Sequence, residues 1–211
     1  MLENHLIVQR TARYYTIGQL TEQTRSVWFC LHGYGQLAQY FGRKFSELDD
    51  GRTMVVVPEG LSRFYLNNEY KRIGASWQTR EDREHEIEDL TAYLNSLYDR
   101  ILSPDLNLHI TVLGFSQGAA TACRWLNHGH IRIDRLILWA GYFPDGLQNL
   151  VDLPRLASVE THYVYGDQDA YLLTLNKETF LAQIQTDIPA VSITEFNGVH
   201  TVDTGVLKKF I

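Results

Sequence analysis

The chain has 211 residues and a formal net charge of −6, from 19 Lys and Arg against 25 Asp and Glu. That balance argues against a nucleic-acid footprint and against a basic surface for anionic lipid. With 45% hydrophobic and 21% charged residues, it suits one folded domain over residues 1–211, and no apolar run is long enough to span a bilayer. The opening Met1-Leu2-Glu3-Asn4-His5 lacks the basic and apolar regions of a signal peptide, so a cytoplasmic location is expected.

Taken in order, residues 5–8 and 12–18 read as a hairpin of edge strands. Ser26 to Leu31 is a continuous apolar run, as in a strand covered on both faces, and it ends in His32-Gly33-Tyr34-Gly35. Leu37, Phe41, Phe45 and Leu48 follow at helical spacing, and Thr53 to Val57 reads as a second buried strand stopped by Pro58. From Glu59 to Gln78 no period holds, but aromatic residues are frequent, which predicts a long functional loop. Glu81 to Ile101 carries Ile87, Leu90, Leu94, Leu97 and Ile101 on one helical face.

Leu108 to Leu113 is a third buried strand, followed at once by Gly114-Phe115-Ser116-Gln117-Gly118 and a run of small helix-compatible residues. Strands over 135–140, 161–165 and 190–194 complete the pattern, with a helix between Tyr171 and Gln185 and a short one from about Thr201. This alternation predicts a three-layer α/β domain, a mostly parallel sheet flanked by helices. Cys30 and Cys123, the only two cysteines, fall in apolar segments and read as buried free thiols. Neither a metal-ligand cluster nor a cofactor motif stands out, so no metal and no cofactor are expected.

A Gly-x-Ser-x-Gly between a buried strand and a helix holds its serine on a sharp turn, clear of the sheet, which makes Ser116 the candidate nucleophile. In an open parallel sheet, ligands bind beyond the carboxyl ends of the strands, so residues just after each strand matter most. Gly166-Asp167-Gln168-Asp169 and Asn197-Gly198-Val199-His200 occupy such places, in the order Ser, Asp, His that this architecture uses for a triad. His200 is the only histidine after Asp169 and is the candidate base. The other seven histidines read as solvated or structural. The residues alone leave the acid open between Asp167 and Asp169. The glycine-rich turn after Leu31 can aim the Tyr34 amide at a developing oxyanion, with the Gln117 amide as the second donor.

These segments resemble the phospholipase/carboxylesterase family of α/β-hydrolases, which includes the acyl-protein thioesterases. Leu31-His32-Gly33-Tyr34-Gly35 is similar to its LHGxG oxyanion segment, Gly114 to Gly118 to its GFSQG elbow, and Gly166 to Asp169 to its GDxD loop. In that loop the second Asp is the triad acid, so the resemblance points to Asp169. It implies an α/β-hydrolase fold without a large cap domain, and a serine esterase, lysophospholipase or thioesterase working through an acyl-enzyme on a small-molecule acyl ester or thioester. The chain departs from the family at Gln36, where an acid is common, at Ala170 to Leu172 after the GDxD loop, and at Trp77-Gln78-Thr79, where the family has Trp-Phe/Tyr-Asp.

About twenty residues separate the strands ending at Ala140 and starting near Thr161, too few for a cap, which predicts an open pocket. Its expected walls are Phe64, Tyr65, Trp77, Tyr142, Phe143, Tyr171 and Leu172, an aromatic set that favours an acyl or aryl ester over a charged substrate. Two other readings stay open: a non-catalytic module holding a hydrophobic ligand on the same fold, and dienelactone-hydrolase-like chemistry. Homodimer formation is also left open.

Overall fold

The computed structural model describes residues 1–103 and 105–211. Strands covered on both faces sort their side chains by alternation, and this organises the molecule. In β2 (Ser26–Leu31), Val27, Phe29 and Leu31 pack into one core layer, while Trp28 and Cys30 pack into the other. Seven strands form the sheet. β1 (Tyr14–Ile17) lies at one edge, antiparallel to β3 (Thr53–Pro58). β3 runs parallel to β2, which pairs in turn with β6 (His109–Phe115), then come β7 (Arg135–Trp139), β8 (Glu160–Gly166) and, at the far edge, β9 (Ser192–Phe196).

The first layer holds three helices: α2 (Arg83–Ile101) through Leu90, Leu94 and Leu97, α3 (Gln117–His128) through Ala119, Ala122, Cys123 and Trp125, and α4 (Lys177–Asp187) through Phe180 and Ile184. The second holds α1 (Ala38–Phe41), which continues as a 3₁₀ helix to Leu48 and buries Phe41 and Phe45, and the C-terminal α5 (Thr204–Leu207). Each fully buried large apolar side chain contributes roughly 1.5–3 kcal/mol, so both layers stabilise the sheet that carries the site. Cys30 and Cys123 are free and buried, with burial raising both thiol pKa values, Cys123 to about 12.

The expected N-terminal hairpin does not form. Residues 1–13 take no regular structure, Leu6, Ile7 and Val8 are exposed, and only Tyr14–Ile17 finds a partner, the Pro58 to Val55 edge of β3. The expected loop over 59–78 is instead a hairpin of β4 (Ser62–Tyr65) and β5 (Ile73–Ser76). Four-residue strands joined by seven residues leave too short a run for a period to be read. The helix expected from Tyr171 begins only at Lys177, where the Asn176 side chain accepts from the Thr179 amide as an N-cap. Between β7 and β8 the chain adds only a short 3₁₀ turn, Leu153–Leu156. Among the described residues no helix is long and apolar enough to cross a membrane.

Candidate active site

Ser116 is the single residue between β6 and α3, and it adopts φ 54°, ψ −116°. A non-glycine residue there is strained by about 1–3 kcal/mol and persists only where its surroundings impose it. Here they do. The Ser116 amide donates to the Trp139 carbonyl at 2.8 Å, locking the elbow to β7. Any Cβ on Gly114 would overlap the Gly118 carbonyl, and one on Gly118 would overlap the Leu31 carbonyl. The two glycines are therefore required by close approach of strand, helix and β2.

The loops that carry Asp169 and His200 sit at the ends of the neighbouring strands β8 and β9 and are sewn together. The Gln168 amide donates to the Gly198 carbonyl at 2.9 Å, and the Gly198 amide donates to Asp167 Oδ1 at 2.9 Å. Asp167 thus ties one loop to the other. Asp169 has no solvent exposure, and its Oδ2 accepts from His200 Nδ1 at 2.6 Å while Oδ1 accepts from the Tyr171 amide at 3.0 Å. That contact fixes Nδ1 as the protonated nitrogen and leaves Nε2 free to accept a proton. The imidazole is clasped between Phe115 and Tyr171, at ring separations of 4.8 and 4.7 Å. Trp139 Nε1 donates to the Thr201 carbonyl at 2.9 Å, pinning the chain just past the histidine. Ser116 and His200 line one cavity, and no hydrogen bond joins them among the described residues. In ligand-free sites this contact is commonly loose.

The turn after β2 packs onto the elbow: a Cβ on Gly33 would lie 3.2 Å from the Ser116 Cβ. Its shape is set by hydrogen bonds to every neighbour. Gln36 Oε1 accepts from the Gly33 amide at 2.9 Å, and the Gly35 amide donates to the Ala75 carbonyl of β5 at 2.9 Å. His32 is fully buried. Its Nε2 accepts from the Gly60 amide at 2.9 Å, so Nδ1 carries the proton and donates to the Gly33 carbonyl at 2.7 Å. Burial pushes its pKa down to about 4, against the smaller opposing effect of the Gly33 carbonyl, so the ring is neutral and structural. Behind it the buried Glu59 accepts from Arg13, from Arg63 and from the Ala38 amide. Burial alone would raise the Glu59 pKa, but the bonds from Arg63 and Arg13 outweigh it and hold the carboxyl below its ordinary value. The amides of Tyr34 and Gln117, by contrast, have no backbone acceptor among the described residues. The Tyr34 side chain points away, stacked on Phe64 at 5.0 Å.

The cavity holding Ser116 and His200 has a volume of about 450 Å³. Of the expected aromatic walls, Tyr142 and Tyr171 line it. Four others do not. Trp77 is buried beneath the turn after β2, stacked on His32 at 4.7 Å with its Nε1 donating to the His32 carbonyl at 2.7 Å. Phe64 lies on the outer hairpin, and Leu172 is in the core. Phe143 is 2% exposed and borders only a second, adjoining cavity of about 630 Å³. These residues are large and apolar, and the hydrophobic effect took them into packing. Polar side chains the sequence reading passed over complete the wall: Gln78, Thr79, Arg80 and Arg124. The Gln117 side chain places the first two, accepting from the Trp77 amide at 3.1 Å and donating to the Gln78 carbonyl at 2.8 Å. Arg124 was visible as the one charge in the apolar helix after Ser116, on the same helical row as Ser116 and Ala120.

Away from this cavity, His5, Asp82 and His85 bring ligand-type atoms within 4.8 Å of one another on the surface; all three are exposed and linked by their own contacts to Asp82. The fold is shared with solved structures of low sequence identity. Acyl-protein thioesterase 2 of Zea mays superposes with a TM-score of 0.71 at 16% identity, covering 95% of this chain and 96% of its own. For esterase PE8 the values are 0.64 and 20%, with coverage of 96% and 100%, and for MenH from S. aureus 0.61 and 14%, with 93% and 94%. These likenesses establish the α/β-hydrolase fold. No curated protein matches the chain significantly in sequence. A family model described as serine hydrolase (FSH1) matches residues 23–205, and the chain belongs to that serine hydrolase family, whose fold is that of the phospholipase/carboxylesterase-like α/β-hydrolases.

Proposed function

We propose that the protein cleaves carboxylic esters or thioesters through an acyl-enzyme on Ser116, with residues 1–211 acting as one capless unit. The observation that carries this reading is the fully buried Asp169 carboxylate 2.6 Å from Nδ1 of a histidine that shares its cavity with a strained serine. In the first step Ser116 Oγ attacks the carbonyl carbon while His200 Nε2 takes its proton, and Asp169 stabilises the imidazolium. The oxygen's negative charge falls between the amides of Tyr34 and Gln117, which are held in place before reaction and need no reorganisation. Collapse of the tetrahedral intermediate breaks the bond to the alcohol or thiol, which leaves with the proton from His200. Water, deprotonated by the same histidine, then releases the acid and regenerates Ser116.

Labelling with a fluorophosphonate probe tests this directly. Stoichiometric labelling of the native protein, lost in Ser116→Ala and slowed by several orders of magnitude in His200→Ala, is the expected result. A folded sample that takes up no label removes the hydrolase reading and leaves a ligand-binding module.

A further inference from the structure

The wall opposite the oxyanion turn is electropositive and unpaired. Arg124 is only 8% exposed, yet none of its guanidinium nitrogens bonds a protein atom, and it forms no ion pair among the described residues. It borders both the 450 Å³ cavity and the adjoining 630 Å³ one. Arg80 borders both as well and Arg83 the second, again without a carboxylate partner among the described residues. The one acidic side chain on these walls, Asp145, is exposed and lies in the outer cavity. Gln78 adds a buried Oε1 with no partner, at the same two walls.

A cation largely withdrawn from water, with only the two cavities to face and no partner, is costly, and unpaired buried polar groups such as Gln78 Oε1 are rare in folded proteins. Burial first, and repulsion from Arg83 second, lower the Arg124 pKa to about 10, so the cation is destabilised as it stands. An arriving anion would offset both costs by pairing with the guanidinium. The geometry relates this charge to the reaction: α3 starts just after Ser116 and Arg124 is its eighth residue, about 12 Å along the axis at the usual helical rise. Helical side chains lean toward the N-terminus, so the guanidinium tilts back toward the serine, over the small Ala120.

We propose that the ester cleaved at Ser116 carries an anionic group, a carboxylate or phosphate, held by Arg124 and Arg80 where the two cavities meet, with Arg83 on the adjoining one. This rests on the hydrolase reading above and deepens it, and it replaces the expectation of an uncharged substrate. A planar guanidinium matches a carboxylate or phosphate in two parallel bonds, whereas an apolar acyl chain would leave it buried and unpaired.

The test compares kcat/KM for p-nitrophenyl hemisuccinate and hemiglutarate with p-nitrophenyl butyrate and valerate, placing the charge on the acyl side. A second arm compares 4-acetoxybenzoate with its methyl ester, placing the charge on the leaving group, and inorganic phosphate is added as a competitor to distinguish the two anions. At least one anionic ester should exceed its neutral counterpart about 10-fold or more, and that ratio should fall about 10-fold or more in Arg124→Met and partly recover in Arg124→Lys. Because the ratio is taken within one variant, a general loss of active protein does not move it. If Arg124→Met does not fold, Arg80→Gln and Arg83→Gln should lower the same ratio by smaller factors. Equal rates for charged and neutral esters, or a ratio indifferent to all three arginines, overturn the proposal. If no ester is cleaved, glutarate should still raise the melting temperature of the native protein and not of Arg124→Met. In that case the hydrolase reading fails while the anion site stands; no shift with glutarate or phosphate overturns both.

Discussion

The two walls that flank Ser116 are built in opposite ways. On the side of the turn after β2, His32, Glu59 and Trp77 spend their side-chain polar atoms on named partners, and Gln36 its Oε1: the Gly60 amide and Gly33 carbonyl, two arginines with the Ala38 amide, the His32 carbonyl, and the Gly33 amide. On the facing side, Arg80, Arg83, Arg124 and Gln78 Oε1 have none among the described residues. Both walls are polar, so polarity alone does not mark a binding surface. Satisfaction does: side chains whose polar atoms are used hold geometry, as these hold the turn that presents the free Tyr34 amide, whereas side chains with unused ones have something left to offer a ligand.

The comparison is sharpest at the two carboxylates of one loop, where the largest effect is expected. Asp169→Asn should lower kcat by ~10³–10⁴-fold, since an amide there no longer favours the Nδ1 proton or the imidazolium. Asp167→Asn should lower it far less, because Asp167 touches only the Gly198 amide and Asn197 and an amide oxygen can still accept. Steady-state kinetics of both variants on one ester decide this, and equal losses would remove the assignment of Asp169 as the acid.

The paired wall makes a pH prediction next in size. His32 is neutral when folded with a pKa near 4, below the 6.5 of a free imidazole. Protons therefore bind preferentially to the unfolded chain as pH falls below 6.5, and the stability from neutral His32 is present above that pH and lost progressively down to about pH 4. By linkage the loss is about 3 kcal/mol between neutral pH and pH 4. Urea unfolding of the native protein and of His32→Asn across that range should show this extra slope only in the native protein. Parallel curves would mean that His32 is not held neutral. Glu59→Ala should follow at about 2–3 kcal/mol at neutral pH, less than for a fully enclosed pair because Arg13 and Arg63 are each about 40% exposed and can turn to water. The unfolding midpoint reads it.

Most of the sheet and the three chemical loops were legible because they rest on strong, local signals. Val27 to Leu31 are apolar on both faces, Ile110 to Leu113 are so but for Thr111, and glycine at 114 and 118 is demanded by backbone contact. The sequence could also place Asp167 and Asp169 in one loop but could not separate them, because the difference is which one is buried against an imidazole 31 positions away. The hairpin of β4 and β5 was illegible for a related reason: it is held through long-range bonds such as that from the Gly35 amide to Ala75, not by its own pattern. The substrate wall misled. Aromatic residues are good core formers as well as good binders, and Trp77, Phe143 and Leu172 went to the core. Of the arginines that took their place, Arg124 stood out as the one charge in its helix, but its lack of a partner shows only in the structure.

Gln36 gives the smallest effect and the finest test of the paired wall. Its Oε1 accepts from the Gly33 amide, and the Gln36 backbone carbonyl accepts from Ala75, so the residue joins the oxyanion turn to β5 from both ends. A family acid at this place would keep the acceptor, which explains how Gln can stand there without cost. Gln36→Glu should accordingly alter stability by less than about 0.5 kcal/mol, whereas Gln36→Ala leaves the Gly33 amide without its partner and should cost about 1 kcal/mol. Because that amide neighbours Tyr34, Gln36→Ala should lower kcat more than it raises KM, the sign of a donor misplaced for the transition state and not for the bound ester. A change confined to KM would instead put Gln36 against the substrate and move the boundary between the two walls to the other side of the serine.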